Sequence, residues 1–164
     1  MTTNIIEFPE VKIITLAKEY LHITTQFLYH NWHLTYDEYL PKENISLKTY
    51  DNFYRYLAKN KSNTFIAIKS NEIIGLVTIF KNCIDELWVH KGFRRQGIAK
   101  KLLKQAVDRI LDKNYLMAQV GCEDFNSDAI YFFKALGWYM IDFETIELNN
   151  DKSISVMVLG FKLT

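Results

Sequence analysis

Apolar residues recur every third or fourth position through the first third of the chain, then fall into short alternating or unbroken runs. From 16 to 32, LAKEYLHITTQFLYHNW, the positions Leu16, Tyr20, Ile23, Phe27, Leu28 and Asn31 keep helical steps, and Leu21 and Leu28 stand a heptad apart. Pro41 interrupts this pattern, and LKTYDNFYRYLAKN resumes it through Leu47, Tyr50, Phe53, Tyr54 and Leu57. β-branched runs follow. NTFIAIKS and EIIGLVTIF, joined at Ser70-Asn71, predict a hairpin, and CIDELWVH predicts a third strand. After these the pattern predicts a helix from Gly97 to Asp112, a strand in NYLMAQVGCED and a helix from Asn126 to Leu136. Two closing strands, YMIDFETIEL and SISVMVLGFKL, turn at Asn149-Asn150-Asp151.

This order is helices, an antiparallel meander, one strand–helix–strand crossover, a helix and a final hairpin. It predicts an α+β fold on a mixed sheet. No repeat, low-complexity tract or Pro/Gly/Ser linker divides the chain, so residues 1–164 read as one domain. Composition supports a packed core, with 49% hydrophobic and 24% charged residues. The formal net charge of +1 gives no bulk attraction to nucleic acid or an anionic membrane, so any anion has to be bound locally. The two cysteines, Cys83 and Cys122, lack paired metal or redox spacing and read as reduced core thiols. The N-terminal MTTNIIEFPE has no basic region followed by an apolar stretch, and no run reaches membrane-spanning length. A soluble cytoplasmic protein is the expectation.

The chemistry concentrates in VHKGFRRQGIAKKLL, 89–103, the turn from the third strand into the crossover helix. Ile98, Leu102, Leu103, Ala106, Val107, Ile110 and Leu111 form one apolar stripe, which predicts burial on the sheet. A helix starting here leaves unpaired N–H groups and a positive dipole end facing the turn. Small residues at Gly97 and Ala99, with arginines beside them, make this an anion cradle. Gly92 and Gly97 have the gap of a Walker loop, but Ile98-Ala99 stand where Lys-Ser/Thr is needed, and no G-x-G-x-x-G occurs. Nucleotide hydrolysis and a Rossmann site are both set aside.

The pattern Arg94-x-x-Gly97-x-Ala99 resembles the pyrophosphate loop of the GNAT superfamily of N-acetyltransferases. NSDAIYFFKALGW resembles the second signature of that family, with an Asn opening a helix, an Ala three on and a Leu-Gly-aromatic close. The resemblance covers nearly the whole chain. It implies a mostly antiparallel mixed sheet flanked by helices, with two parallel strands splayed to form an acetyl-CoA cleft. It implies that the backbone of Leu87, Trp88 and Val89 pairs with the pantetheine arm, and that the Val89 N–H is the oxyanion donor. Arg94, Arg95, Gln96, Gly97, Ile98, Ala99 and Lys100 then surround the pyrophosphate, and Asn126 contacts the pantetheine. Asn126 reads equally as a helix N-cap. Acetyl-CoA is the implied co-substrate, with no metal.

An amine acceptor must be neutral to attack a thioester, so a carboxylate is wanted near the reacting atoms. Asp85 and Glu86 sit in the strand before the loop, and in a regular strand only one of them can face the cleft. Glu86 is the first choice of base and Asp85 the second. The pair also resembles an acidic pair in polyamine-acetylating members. His90 reads as solvated, and His22, His30 and His33 are scattered with no acidic partner in sequence, so none is given a metal role. The family often has a tyrosine acid four residues before the second-signature glycine. Phe133 stands there, and Tyr131 lies too far around the helix to replace it. The aromatic and acidic connection HNWHLTYDEYLPKEN, with Trp32, His33, Tyr36, Asp37, Glu38 and Tyr39, suits a cationic amine. The expectation is transfer of an acetyl group to a primary amine of a small molecule, such as a polyamine or aminoglycoside, by a monomer or homodimer. The alternatives are a protein N-terminal or lysine acetyltransferase and a non-catalytic CoA-binding module.

Overall fold

Strand pairing begins earlier than the periodicity suggests. In the computed structural model, which describes residues 10–163, Lys12–Thr15 form a first strand, β1. KIIT is too short to announce itself; pairing in register with a later strand makes it one. The N-terminal stretch read above lies, except for Glu10, outside the described residues. Three helices follow: α1 (Leu21–Tyr36), the single-turn α2 (Lys42–Ile45) and α3 (Tyr50–Lys59), the last capped by Thr49, whose hydroxyl accepts the Asn52 N–H at 3.2 Å. The meander is β2 (Thr64–Lys69), β3 (Glu72–Phe80) and β4 (Cys83–Val89). Ser70 and Asn71 both have positive φ, as the tight β2–β3 turn requires. Then come α4 (Ile98–Asp112), β5 (Met117–Glu123), α5 (Ser127–Ala135), β6 (Tyr139–Glu147) and β7 (Ser153–Lys162).

The strands form one seven-stranded sheet in the order β1-β2-β3-β4-β5-β7-β6. Only β4 and β5 run parallel; every other pair is antiparallel. One face packs against α1 and α3 through Leu28, Trp32, Phe53, Leu57, Ile66 and Leu76. The opposite face packs against α4 and α5 through Val77, Ile79, Leu102, Ala106, Ile110 and Phe133. Each fully buried Leu or Ile of this kind stabilises by about 1.5–3 kcal/mol. Gly75 lets α4 sit close to the sheet, since a Cβ there would lie 2.9 Å from Leu102 Cδ1 and 3.0 Å from the Trp88 carbonyl.

Two helix stripes are narrower than the sequence suggests. In α4, Ile98, Leu102, Leu103, Ala106 and Ile110 are buried, Val107 is partly buried and Leu111 is exposed. At 100° per residue Leu111 lies roughly 80° beyond Leu103, the far edge of the buried arc. In α1 the buried set is Leu21, Thr24, Thr25, Phe27, Leu28, Asn31 and Trp32, which leaves Ile23 on the outer side. The helix begins at Leu21 after a 3-10 turn over Lys18–Tyr20, so the stripe does not continue from Leu16. Asn31 and Thr25 are satisfied within the helix, donating to the carbonyls of Phe27 (2.8 Å) and Leu21 (2.7 Å).

Candidate active site

The parallel pair comes apart almost at once. Cys83 pairs with Gln119 and Ile84 with Val120, and no register continues beyond them. Toward their C-terminal ends the two strands splay, leaving a gap along Glu86–Val89. The His90 N–H bonds to the Ile74 carbonyl on β3 at 2.7 Å. Strand alternation therefore turns the N–H groups of Leu87 and Val89 the other way, into the gap. The Val89 carbonyl accepts from Arg94 Nε at 3.3 Å, which ties the loop back to the strand end.

Beyond that loop α4 starts at Ile98 with Gly97 as its N-cap, at φ 79° and ψ 8°. Arg95 also has positive φ (62°). No atom lies within 4 Å of where a Gly97 Cβ would stand, so glycine is there for its backbone conformation and the space before it is open. The first N–H groups of α4 have no partner within the helix and face that space. Arg94, Arg95, Gly97, Ile98, Ala99 and Lys100 line one groove with Val89 and Tyr131. This cradle fits a pyrophosphate: it is open, edged with arginine and furnished with main-chain donors. Gln96 is exposed in the same loop, outside the groove lining. His90 is occupied locally, its Nδ1 accepting the Gly92 N–H at 3.0 Å.

On the other side of β4 lies a second cleft, lined by aromatic residues and acids. Trp32, Tyr36, Phe53, Tyr56 and Trp88 form its walls, with Asp85, Glu86 and Glu123 among them. Both acids of β4 enter it, against the alternation rule, because β4 carries a bulge. Thr78 pairs with Glu86 and the next β3 residue, Ile79, with Ile84, so Asp85 is the extra residue. Glu86 Oε2 accepts the Trp88 indole N–H at 2.5 Å, the Tyr56 hydroxyl donates to Asp85 Oδ2, and the Tyr36 hydroxyl donates to Glu123 Oε1 at 3.0 Å. Burial raises the Glu86 pKa to about 7; the Asp85 charge adds to the rise and the Trp88 N–H opposes it. Tyr36 and Tyr56 are held far above the ordinary phenol range, first by burial and then by the neighbouring carboxylates. Burial, with Glu123 beside it, pushes the Cys122 thiol up to about 12, in keeping with an inert core thiol.

The two clefts meet. Leu87, Trp88, Asn126, Ala129 and Phe133 line both, which marks the junction where a group held on one side can reach a molecule on the other. Asn126 caps α5, its Oδ1 accepting the Ala129 N–H at 3.3 Å. Phe133 is only 3% exposed and packs edge-on against Phe132 and Trp138, whereas Tyr131 is 77% exposed.

The connection after α1 serves the cleft differently from the sequence reading. Trp32 and Tyr36 do line it, but Asp37 is engaged by His33 Nδ1 at 2.7 Å, and Tyr39 stacks on Phe125 with ring centroids 4.2 Å apart. His33 thus has an acidic partner four residues on, and its Nε2 contacts the Lys48 carbonyl at 2.7 Å; together they pin this connection to α1. Asp37 and Glu38 are exposed, outside the cleft lining, and the cleft acids come from β4 and β5 instead. Glu123 and Tyr56 went unnoticed in the sequence. Glu123 could have been found as the acid ending the strand parallel to Asp85-Glu86, whereas Tyr56 carries no local signal. The tip of the β6–β7 hairpin closes one end. Asn149 donates through its N–H and Nδ2 to Asn44 Oδ1 (3.3 and 3.2 Å), and Asn150 Nδ2 donates to Glu43 Oε2 (3.0 Å). Among the described residues no group of three His, Cys, Asp or Glu is placed to hold a metal ion, and no helix is long and apolar enough to cross a membrane.

A sheet split between parallel strands, with an anion cradle on one side and an acidic aromatic cleft on the other, is the architecture of a group-transfer enzyme with a phosphorylated donor. The model of the acetyltransferase (GNAT) family matches residues 26–138, more than half the chain, and the protein belongs to that family. Solved structures share the fold at low identity. PaiA N-acetyltransferase from Thermoplasma acidophilum, in complex with coenzyme A, superposes with a TM-score of 0.69 at 17% identity, over 93% of this chain and 99% of that one. The putative acetyltransferase yncA from Salmonella typhimurium, with acetyl-CoA, gives 0.73 at 13% identity over 94% of each chain. The ribosomal-protein-S18-alanine N-acetyltransferase from Escherichia coli gives 0.67 at 14% identity, over 94% of this chain and 95% of that one.

Proposed function

We propose that the protein transfers the acetyl group of acetyl-CoA to a primary amine of a small molecule. The observation that carries this reading is the junction of the two clefts at Leu87, Trp88, Asn126, Ala129 and Phe133, with Glu86 beside it on the acidic side. The cradle from Arg94 to Lys100 holds the pyrophosphate mainly through main-chain N–H groups, and the gap beside Leu87–Val89 receives the pantetheine arm. When bound, the co-substrate supplies an acetyl group activated as a thioester.

An alkylamine arrives as the ammonium, its free pKa being near ~10. Glu86, with its pKa raised to about 7, accepts that proton directly or through water. The neutral nitrogen then forms its bond to the acetyl carbon, and the carbon–sulfur bond breaks. The Val89 N–H, turned into the gap, donates to the oxygen as negative charge develops there. Sulfur departs as thiolate, which a thiol pKa of about 8.5 makes a competent leaving group without a tyrosine acid. Glu86 passes that first proton to solvent. The second, which nitrogen sheds as the amide forms, goes to the thiolate through Glu86 or water, so the products are the amide, the free thiol and one proton in solution.

The closed end of the cleft favours a small acceptor over a protein. Asn149 and Asn150 at the hairpin tip are bonded to Asn44 and Glu43, where a peptide would need an open groove. Thiol release followed spectrophotometrically across a panel of small amines and short peptides tests the reading. Turnover of at least one small amine is expected. Turnover of peptides alone would overturn the acceptor class, and acetyl-CoA binding without turnover of any amine would overturn the activity.

A further inference from the structure

Two carboxylates from adjacent residues share one cleft, and their side chains have different partners. Glu86 takes its donor from Trp88, two residues along the same strand, while Asp85 takes its donor from Tyr56, on a separate helix. With both carboxylates in one cleft, which of them meets the incoming ammonium depends on how each side chain is oriented. The Tyr56 phenol has a single proton, and its raised pKa keeps that proton in place as a fixed donor to Asp85 Oδ2. The other oxygen, Oδ1, makes no side-chain hydrogen bond among the described residues and is left for a ligand. Tyr56 itself sits near the end of α3, where its carbonyl accepts both the N–H and the Nδ2 of Asn60 (3.1 and 2.8 Å), which fixes the backbone from which the phenol extends.

We propose that Tyr56 is a positioning residue: it aims Asp85 as the anchor for the incoming ammonium and so leaves Glu86 as the sole proton acceptor. This rests on the acetyl-transfer reading above. The charged and titratable groups facing Glu86 are Asp85 on its own strand, Glu123 from β5, Tyr36 from α1, Tyr56 from α3 and Lys48 from the segment before α3. Of these Asp85 adds to the upward push on Glu86. Without the Tyr56 hydroxyl, Asp85 loses the contact that aims its carboxylate into the cleft, and that push weakens.

The test is the pH profile of kcat/KM together with a double-mutant cycle. In Tyr56→Phe the acidic limb, expected near the Glu86 value of about 7, should move to lower pH. KM for the amine should rise about tenfold, the scale of one hydrogen bond to a charged group, and by more than kcat falls. Asp85→Asn should move the limb the same way, and the double variant should add nothing to it. An unmoved limb in Tyr56→Phe, or additive effects in the double variant, would overturn the proposal. Should Tyr56→Phe fail to fold, Asp85→Asn decides alone, since an unmoved limb there removes the coupling on which the idea depends. Glu86→Gln separates the layers. If it keeps full turnover, the role of Glu86 fails and this inference with it; if it is slow while Tyr56→Phe is without effect, only this inference falls.

Discussion

The Trp88 indole N–H donates to Glu86 Oε2 at 2.5 Å, two residues apart on one face of β4. This contact lies at the junction of the clefts, since Trp88 lines both. It orients the carboxylate and resists the rise in its pKa that burial causes. A half-buried acid poised near neutrality is the feature expected of a general base.

Turnover should depend on Glu86 in a pH-dependent way. Glu86→Gln is expected to lower kcat by roughly 10²-fold at neutral pH, the low end for general base catalysis. The deficit should shrink as pH approaches the pKa of the amine, because less substrate then needs deprotonating. A pH series of initial rates checks both. Should Glu86→Gln and Asp85→Asn each keep full activity, the base lies elsewhere.

The same acid should make the fold less stable as pH rises. Its folded pKa, about 7, lies above the ordinary value of 4.5, so between these limits the native state binds more protons than the unfolded one. Stability contributed by the protonated form is therefore present below pH 4.5 and lost as pH rises through 7. Glu86→Gln should remove that dependence and raise stability at pH 8 by on the order of 1–2 kcal/mol, discounted for partial exposure. Thermal unfolding at pH 5 and pH 8 reads the difference, with the gain confined to the higher pH.

Cofactor affinity should follow the backbone at Gly97. Gly97→Asp places a side chain and a negative charge in the open space of the cradle and should abolish acetyl-CoA binding. Gly97→Ala meets no neighbour but must hold φ near 79°, at a cost of about 1 kcal/mol. Arg95→Ala should weaken binding modestly, since most of the cradle is main chain. Calorimetric titration orders the three; wild-type affinity in Gly97→Asp would refute the cradle.

Departure of the thiolate should need no side-chain acid. Phe133→Tyr is expected to leave turnover unchanged or to raise it, because Phe133 lines the junction. Tyr131→Phe should do little to the chemical step, since Tyr131, 77% exposed, lines only the pyrophosphate groove and not the junction of the clefts. A large loss of rate in Tyr131→Phe, with circular dichroism showing an intact fold, would contradict this picture.

The features legible in the chain are those encoded by neighbours in sequence. Helix α4 and its start at Gly97 follow from a 3.6-residue stripe and a small-residue turn. The Ser70-Asn71 and Asn150-Asp151 turns follow from residues that tolerate positive φ, and the Asn126 cap from its own side chain. What only the tertiary structure decides depends on partners far apart in the chain. β1 exists because β2 offers it an edge, and the bulge at Asp85 appears only when β4 is laid against β3. That one extra residue brings Asp85 and Glu86 into the same cleft, where period-two alternation would have parted them. Tyr56 meets Asp85 across 29 positions and Tyr36 meets Glu123 across 87, and no local pattern carries such pairings. Periodicity reports which face of an element is apolar; which groups face one another across a cleft depends on how the elements pack, and in this protein that packing sets the pKa of Glu86.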